Sequence, residues 1–253
     1  MAEGDTVLRL ARRFEATLVG ETAAAAAPNP RGKAAGVERL DGRTLESVEA
    51  HGKHLLLGFG DLSLHSHLGM SGGWHFYRPA ARWRRPRSSA WAVLSGGGWE
   101  AVQFGGPTLR VAPSSRLRRD PQLARLGLDI LADDFDPEAT IAAMRAEPTR
   151  GLGDALLDQH LVAGIGNIFR SEACFGARVD PWRPVGDLSD EELRSVLCAA
   201  REQMLSAVES GDRHRFQIYK RRPSVCPVCR SPIFSRGQGD ANRTTYWCPR
   251  CQG

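Results

Sequence analysis

Residues 226–251 read CPVCRSPIFSRGQGDANRTTYWCPRC, two CxxC pairs with eighteen residues between them. Each pair sets two thiols on one tight turn, stiffened by Pro227 and Pro249, and the spacing of Cys226, Cys229, Cys248 and Cys251 is that of a zinc site. Zn²⁺ takes four sulfur ligands tetrahedrally and then keeps no open position for water or substrate, so the metal expected here is structural. Between the pairs, Ile233-Phe234-Ser235 and Thr244-Thr245-Tyr246-Trp247 read as two hairpin strands joined by a loop from Arg236 to Arg243. Such a hairpin has almost no core, so the metal must hold it and the arginine-bearing loop is what it presents. Paired disulfides in a secreted domain are the alternative; the absence of a signal-peptide pattern and an otherwise thiol-bearing chain argue against it.

At 253 residues, 42% hydrophobic and 25% charged, the chain has ordinary globular composition and room for two modest domains. A net charge of +5 and a pI near 9.1 suggest an anionic partner. Lysine is confined to Lys33, Lys53 and Lys220, so the basic residues are overwhelmingly arginine, and their positions carry more information than their number. No run of eighteen apolar residues exists, which argues against a membrane span. The opening residues lack the succession of a secretory signal, which places the protein in the cytoplasm or at the nucleoid. Cys174 and Cys198 lie outside the zinc set, on apolar helical faces, and read as buried packing residues.

The first half reads as mostly β after a leading helix. Asp5 is expected to cap a helix from Thr6 to Leu18, with Leu8, Leu10, Ala11, Phe14 and Leu18 at roughly helical spacing. Strands are expected at 44–48, 54–59, 62–68, 90–94 and 99–104, punctuated by glycine turns, and this pattern suggests a β-sandwich. The alanine run 23–27 reads as a low-complexity loop. From Pro121 to Pro148 the composition shifts to helix formers, with Pro137 in a first turn after Asp136. The fold class is therefore α+β: an N-terminal β-sandwich domain over 1–118, a helical domain over 119–222 and a zinc-ribbon hairpin over 223–253.

One helical segment is unusually specific. Gly151 to Asp158 closes one helix, and His160-Leu161-Val162-Ala163-Gly164-Ile165-Gly166-Asn167 leads into the next, with Asn167 expected as its cap. A helix N-terminus behind glycines exposes backbone N–H groups and a partial positive charge, which suits phosphate. A plain glycine turn with a capping asparagine accounts for the same residues equally well.

The segment Asp158 to Ala173, the terminal double CxxC hairpin and the opening Met1-Ala2-Glu3-Gly4-Asp5-Thr6 together resemble the Fpg/Nei family of DNA glycosylases, and the Glu-Gly-Asp-Thr-Val opening is closer to the Nei-like (endonuclease VIII-like) branch, which acts on oxidised pyrimidines. The motifs occur in family order, so the resemblance spans essentially the whole chain. It implies a β-sandwich, a helical domain with a helix-two-turn-helix motif and a zinc hairpin, with damaged or abasic DNA held in the cleft between the halves and the protein acting as a monomer. A damaged base must be turned out of the duplex to be reached. By resemblance, Asn167 and Arg243 bind the phosphates flanking the lesion, Lys53 contacts a phosphate near the catalytic end, and Met70 fills the gap left by the extruded base.

The catalytic end departs from the family. The usual nucleophile is a proline at position 2, exposed on removal of Met1; here the residue is Ala2, whose primary amine would form a Schiff base with the sugar C1′. Its imine needs a proton before it serves as an electron sink, so slower strand cleavage is expected. Glu3 is the expected general acid and base. A second departure is the stretch 102–108, where one branch carries an arginine and phenylalanine wedge; Phe104 is the candidate here, and this difference favours the Nei-like branch. His160 stands where relatives carry a basic or polar residue, a possible phosphate contact. The reading is a bifunctional glycosylase and abasic-site lyase; the alternative is a non-catalytic or weakly lyase-active protein that binds abasic or damaged DNA. A zinc-ribbon transcription or translation factor would explain the hairpin but not the opening or the helical turn.

Overall fold

The structure, a computed structural model, describes residues 2–211, 216–221 and 224–253. The chain divides into two compact units, Met1–Arg125 and Leu126–Gly253. Met1, whose removal would expose the Ala2 amine, lies outside the described residues.

The first unit opens with helix α1 (Gly4–Glu15). Val7, Ala11 and Phe14, with Leu18 just beyond the helix, recur at four- and three-residue steps, so they share one face and are all buried. Then come β1 (Thr22–Ala26), α2 (Pro30–Ala34), β2 (Arg43–Thr44), β3 (Ser47–His51), β4 (His54–Phe59), β5 (Leu62–His67), β6 (Gly73–Tyr77), β7 (Ala92–Gly96), β8 (Trp99–Phe104), β9 (Thr108–Pro113), α3 (Ser114–Arg118) and α4 (Pro121–Ala124). They form a five-stranded sheet in the order β2-β1-β7-β8-β6 and a four-stranded sheet in the order β3-β4-β5-β9. Every neighbouring pair is antiparallel. The two sheets share one core: Leu55, Leu57 and Leu64 from one and Ala25, Leu94 and Ala101 from the other pack with the apolar face of α1. Phe14 sets its ring edgewise against Trp74 at 5.0 Å and Phe76 at 4.9 Å.

The second unit begins with β10 (Leu128–Asp129), followed by α5 (Pro137–Arg145), α6 (Leu152–Ala155), β11 (Val162–Ala163), α7 (Asn167–Gly176), α8 (Asp190–Ser210), β12 (Phe234–Gln238), β13 (Arg243–Trp247) and α9 (Pro249–Gln252). Asp136 caps α5 by accepting from the Glu138 and Ala139 N–H groups, with Pro137 at the first helical position. Ser189 and Glu192 close a capping box on α8, which ends at left-handed Gly211.

Five sequence expectations need correction. The alanine run is strand β1, not a loop: its burial alternates, and pairing with β7 overrides the poor strand propensity of alanine. Helix α1 starts at Gly4, with Glu3 in the extended N-cap position, so Asp5 is a buried first-turn residue rather than the cap. Asn167 is the first residue of α7 rather than its cap; the N-cap position is Gly166, which has no side chain to offer. The hairpin strands run on to Gln238 and start at Arg243, leaving only Gly239 to Asn242 as the turn. Cys198 is exposed, because the buried stripe of α8 runs through Val196, Leu197, Ala200 and Met204 and leaves position 198 outside it.

Candidate functional site

Within the first unit the chain start and the β5–β6 connection come together. The Ala2 nitrogen donates to the Gly69 carbonyl at 3.2 Å. Glu3 follows, with no exposed surface, its carbonyl accepting the first helical N–H groups from Thr6 and Val7. Gly69 has φ 58, and a Cβ there would lie 2.7 Å from Pro107, so only glycine makes this approach without strain. Met70 comes next and is 66% exposed, unusual for so apolar a side chain. Ala2, Glu3 and Met70 are thus gathered at one end of the sandwich.

Lys53 sits in the two-residue connection of the β3–β4 hairpin, where His51 pairs with His54 and Gly52 adopts φ 56. Burial depresses the basicity of His54 and His67, and the Lys53 ammonium adds to this, directly after burial for His67 and last, behind His67, His65 and His51, for His54. On the outer face of the four-stranded sheet, His54 pairs across strands with His67, and His65 with Arg110. His54 Nδ1 and His65 Nε2 lie 2.9 Å apart, Arg110 Nε donates to His65 Nδ1 at 3.3 Å, and the Arg110 guanidinium pairs with Asp120. Because an arginine N–H can only donate, His65 Nδ1 must accept. Neutral His65 therefore carries its proton on Nε2 and donates it to His54 Nδ1, which fixes both tautomers.

Burial, then the charges of neighbouring groups, pushes His54 down to about 3. For His65, burial and then Arg110 push the value down to about 4, while Asp120 opposes them and loses. An unfolded imidazole titrates near 6.5, so below that pH the unfolded chain binds protons that the folded unit refuses until about pH 4. Stability of this unit should therefore fall as pH drops from 6.5. For His65 alone the loss at pH 5 is about 2 kcal/mol, from roughly 1.5 pH units at about 1.4 kcal/mol each. Thermal melts at pH 7.5 and pH 5 check this, and His65→Gln should flatten the dependence. An equal pH slope in that variant would refute the assignment.

In the second unit Asn167 and Arg243 are linked by a residue that the sequence reading missed. Arg170 is fully buried, donates to the Asn167 side chain and to the Arg243 carbonyl at 3.2 Å, and so ties the start of α7 to β13. Asn167 Nδ2 donates to the Thr244 carbonyl at 2.9 Å. Gln238, also buried, spans from the Pro181 carbonyl at 2.7 Å to the Thr245 hydroxyl at 2.7 Å. Glu172 accepts the backbone N–H groups of Gln217, Ile218 and Tyr219 at 2.7–2.9 Å, and its burial raises its pKa. A charged residue inside a helix gives no sequence sign of being buried; the GNxxR spacing was the available signal. Arg243 itself is exposed at the start of β13. His160 is exposed too, 3.6 Å from the Asp158 carboxylate. Phe104 is 1% exposed and packed on Trp83 and His75, so it is a core residue and does not wedge.

The four hairpin cysteines converge, their sulfur atoms all within 4.8 Å of one another. The Cys226–Cys251 and Cys229–Cys248 sulfurs are 3.7 Å and 3.5 Å apart, far beyond a disulfide bond of about 2.05 Å. Crowding pushes the Cys251 thiol up to about 12, first through its contact with Cys229. Four sulfurs facing one point, with no other metal-ligating cluster among the described residues, form a donor set that fits a tetrahedral thiophilic ion.

Residues 1–101 match the formamidopyrimidine-DNA glycosylase N-terminal domain, and residues 126–217 match the formamidopyrimidine-DNA glycosylase H2TH domain. A probable endonuclease 8 2 of Streptomyces coelicolor is 36% identical, over 100% of this chain and 94% of that protein. The DNA-(apurinic or apyrimidinic site) lyase Nei2 of Mycolicibacterium smegmatis is 32% identical, over 100% of this chain and 99% of its own length. Among solved structures, the MutM (Fpg) protein of Thermus thermophilus superimposes with a TM-score of 0.81 at 29% identity, covering 99% of this chain and 98% of that one. Matches of this extent in both units, with the sandwich, the helical turn and the four-cysteine hairpin all in place, make the chain a member of the Fpg/Nei family, on its endonuclease VIII-like side.

Proposed function

We propose that this protein is a bifunctional DNA glycosylase and abasic-site lyase that excises oxidised bases, pyrimidines foremost, from DNA. The observation that carries this reading is the gathering of Ala2, buried Glu3 and exposed Met70 at one end of the first unit. Ala2 is the nucleophile. An α-amine with an ordinary pKa of about 7.7 to 8.0 is partly neutral near pH 7, and its lone pair attacks C1′ of the deoxyribose. Glu3 donates the proton that opens the sugar ring, and the base leaves with the electron pair of the glycosidic bond. Loss of a proton from C2′ of the resulting Schiff base then expels the 3′ phosphate and cuts the strand. Met70 occupies the space vacated by the turned-out nucleotide. Lys53, on its tight hairpin, holds a phosphate beside the reacting sugar.

Asn167 and Arg243 are the phosphate contacts of the second unit, and Arg170 sets their spacing. Arg243→Ala should weaken binding to every DNA sequence alike and lower the salt slope by about 1, because phosphate contacts carry no sequence information. Asn167→Ala should also weaken binding to every sequence alike, but with little change in salt slope because the amide carries no charge, and it should loosen the hairpin, since Thr244 loses its donor. Titrations of several duplexes across salt concentrations check both; a changed lesion preference at constant slope would contradict the role. Zn²⁺ on Cys226, Cys229, Cys248 and Cys251 is structural in this reading: it holds the hairpin and takes no part in the chemistry. No helix among the described residues is long and apolar enough to cross a membrane, and the protein is proposed to work as a monomer in the cytoplasm, at the nucleoid.

The specific reason for a second reading is Ala2 in place of proline, which leaves room for a protein that binds abasic DNA with little lyase action. Borohydride trapping on abasic DNA, followed by mapping of the adducted residue, decides between them. An adduct on Ala2 supports the enzyme; tight binding with no adduct and no base release supports the binder.

A further inference from the structure

From Leu62 to Arg119 the chain carries nine arginines and a single acid, Glu100. That surplus of eight positive charges exceeds the +5 of the whole chain, so the positive charge is concentrated in this part of the first unit. Five of the arginines, Arg78, Arg82, Arg84, Arg85 and Arg87, fall within ten residues in the connection between β6 and β7. All five are exposed, and none takes part in an ion pair among the described residues.

This connection is built, not loose. Trp83, 8% exposed, packs on Tyr77 at 6.0 Å and Phe104 at 6.2 Å on the outer face of β6 and β8, and its Nε1 donates to the Glu100 carboxylate at 3.1 Å. Glu100, the nearest acid in sequence, is thus engaged by the tryptophan. Arg87 lies over the Trp83 ring at 4.2 Å and Arg85 over Phe104 at 5.7 Å, while the Arg84 N–H is held by the Tyr77 hydroxyl at 3.2 Å. The segment 81–87 lines a pocket of its own. A guanidinium stacked on a ring keeps its in-plane N–H edges free, and that fork matches phosphate oxygens. Stacking also restricts the side chain before binding, so less rotamer freedom is lost on contact.

The position matters as much as the charge. Phe104 pairs with Gly73 at the end of β8 that runs into Gly105–Pro107, and that turn packs against Gly69 and Gly72, on either side of Met70. Arg85 over Phe104 therefore stands at the end of the unit that also holds Ala2 and Met70. The charges of Arg84 and Arg85 both reach His75, adding to the effect of its burial.

We infer that the loop carrying Arg82, Arg84 and Arg85 is a phosphate-binding surface for the DNA backbone beside the lesion, separate from the contacts assigned to Lys53, Asn167 and Arg243; the inference rests on the DNA-repair reading above. The loop grips phosphodiester and reads no base, so its contribution is independent of lesion chemistry.

The test is equilibrium binding of the full-length protein to a fluorescent duplex bearing a tetrahydrofuran abasic analogue, titrated across salt concentrations. Replacing Arg82, Arg84 and Arg85 together by glutamine should raise Kd at least about tenfold at 0.1 M salt and reduce the salt slope by about 2 to 3. Replacing them by lysine should keep the slope, because the charge remains. If the glutamine triple melts early, Arg82→Gln alone carries the test with a slope change near 1; that side chain makes no hydrogen bond, ion pair or ring contact among the described residues. Unchanged Kd and slope in the glutamine variants would overturn the inference. The analogue needs no chemistry, so a wild-type protein that binds steeply but neither releases base nor forms an adduct would defeat the enzyme reading while leaving this one standing.

Discussion

Cys248→Ser, or zinc removal by a strong chelator, is expected to weaken DNA binding severely while the first unit stays folded. The hairpin β12–β13 has five residues per strand, too few to be stable alone in water. Structural zinc in small peptides contributes about 10–16 kcal/mol of apparent binding energy, far more than the aromatic contacts around Trp247 can replace. Its loss would release Arg243 from β13 and undo the buried Gln238, Arg170 and Asn167 connections that tie the hairpin to α7. Metal analysis should find one zinc per chain. Trp247, 5.2 Å from Trp182, gives a fluorescence signal for the local unfolding. The loss in affinity for an abasic duplex should be at least about a hundredfold, because several phosphate contacts go together. A metal-free protein of undiminished affinity would end the argument for a structural ion.

Legibility followed the locality of the signal. The four cysteines, the Asp136-Pro137 helix start and the alternating run from His54 to Phe59 were readable because their information lies within a few residues. Strand β1 was not, since five residues rich in alanine acquire strand character only by pairing with β7. Strands β6 and β9 went unmarked for a related reason: each is defined by its partner rather than by a strong pattern of its own. At the candidate site, Ala2, Glu3 and Met70 were singled out through family motifs, and the Gly69 contact that brings the chain start beside Met70 depends on the fold. The His54–His65–Arg110 chain is set by the registers of β4, β5 and β9, which no single segment encodes. Arg170 was passed over because a buried arginine looks in sequence like any charged helical residue.

The largest chemical effect is expected at Glu3. Glu3→Gln keeps the size of a side chain that has no exposed surface and removes its proton. Base release should fall by about 10²- to 10⁴-fold, the usual contribution of a positioned general acid, while abasic DNA is still bound. Acetylating the processed terminus should eliminate the borohydride-trapped adduct, since no free amine then remains to attack C1′, and retaining Met1 should eliminate an adduct on Ala2, since the Ala2 nitrogen is then a peptide amide. Ala2→Pro should keep or raise strand cleavage: a secondary amine gives a permanently cationic iminium, whereas the imine formed by the Ala2 amine must first gain a proton. These three outcomes are linked, because the same amine and the same carboxylate serve both steps. The binding-protein reading forecasts another pattern, with neither base release nor adduct from the natural chain on oxidised pyrimidine or abasic oligonucleotides. If the natural protein is silent on that panel and Ala2→Pro alone restores the adduct, the site is an intact lyase scaffold whose nucleophile has been lost. An adduct on Ala2 of the natural protein, absent after acetylation, would instead make this primary amine the working nucleophile of the enzyme.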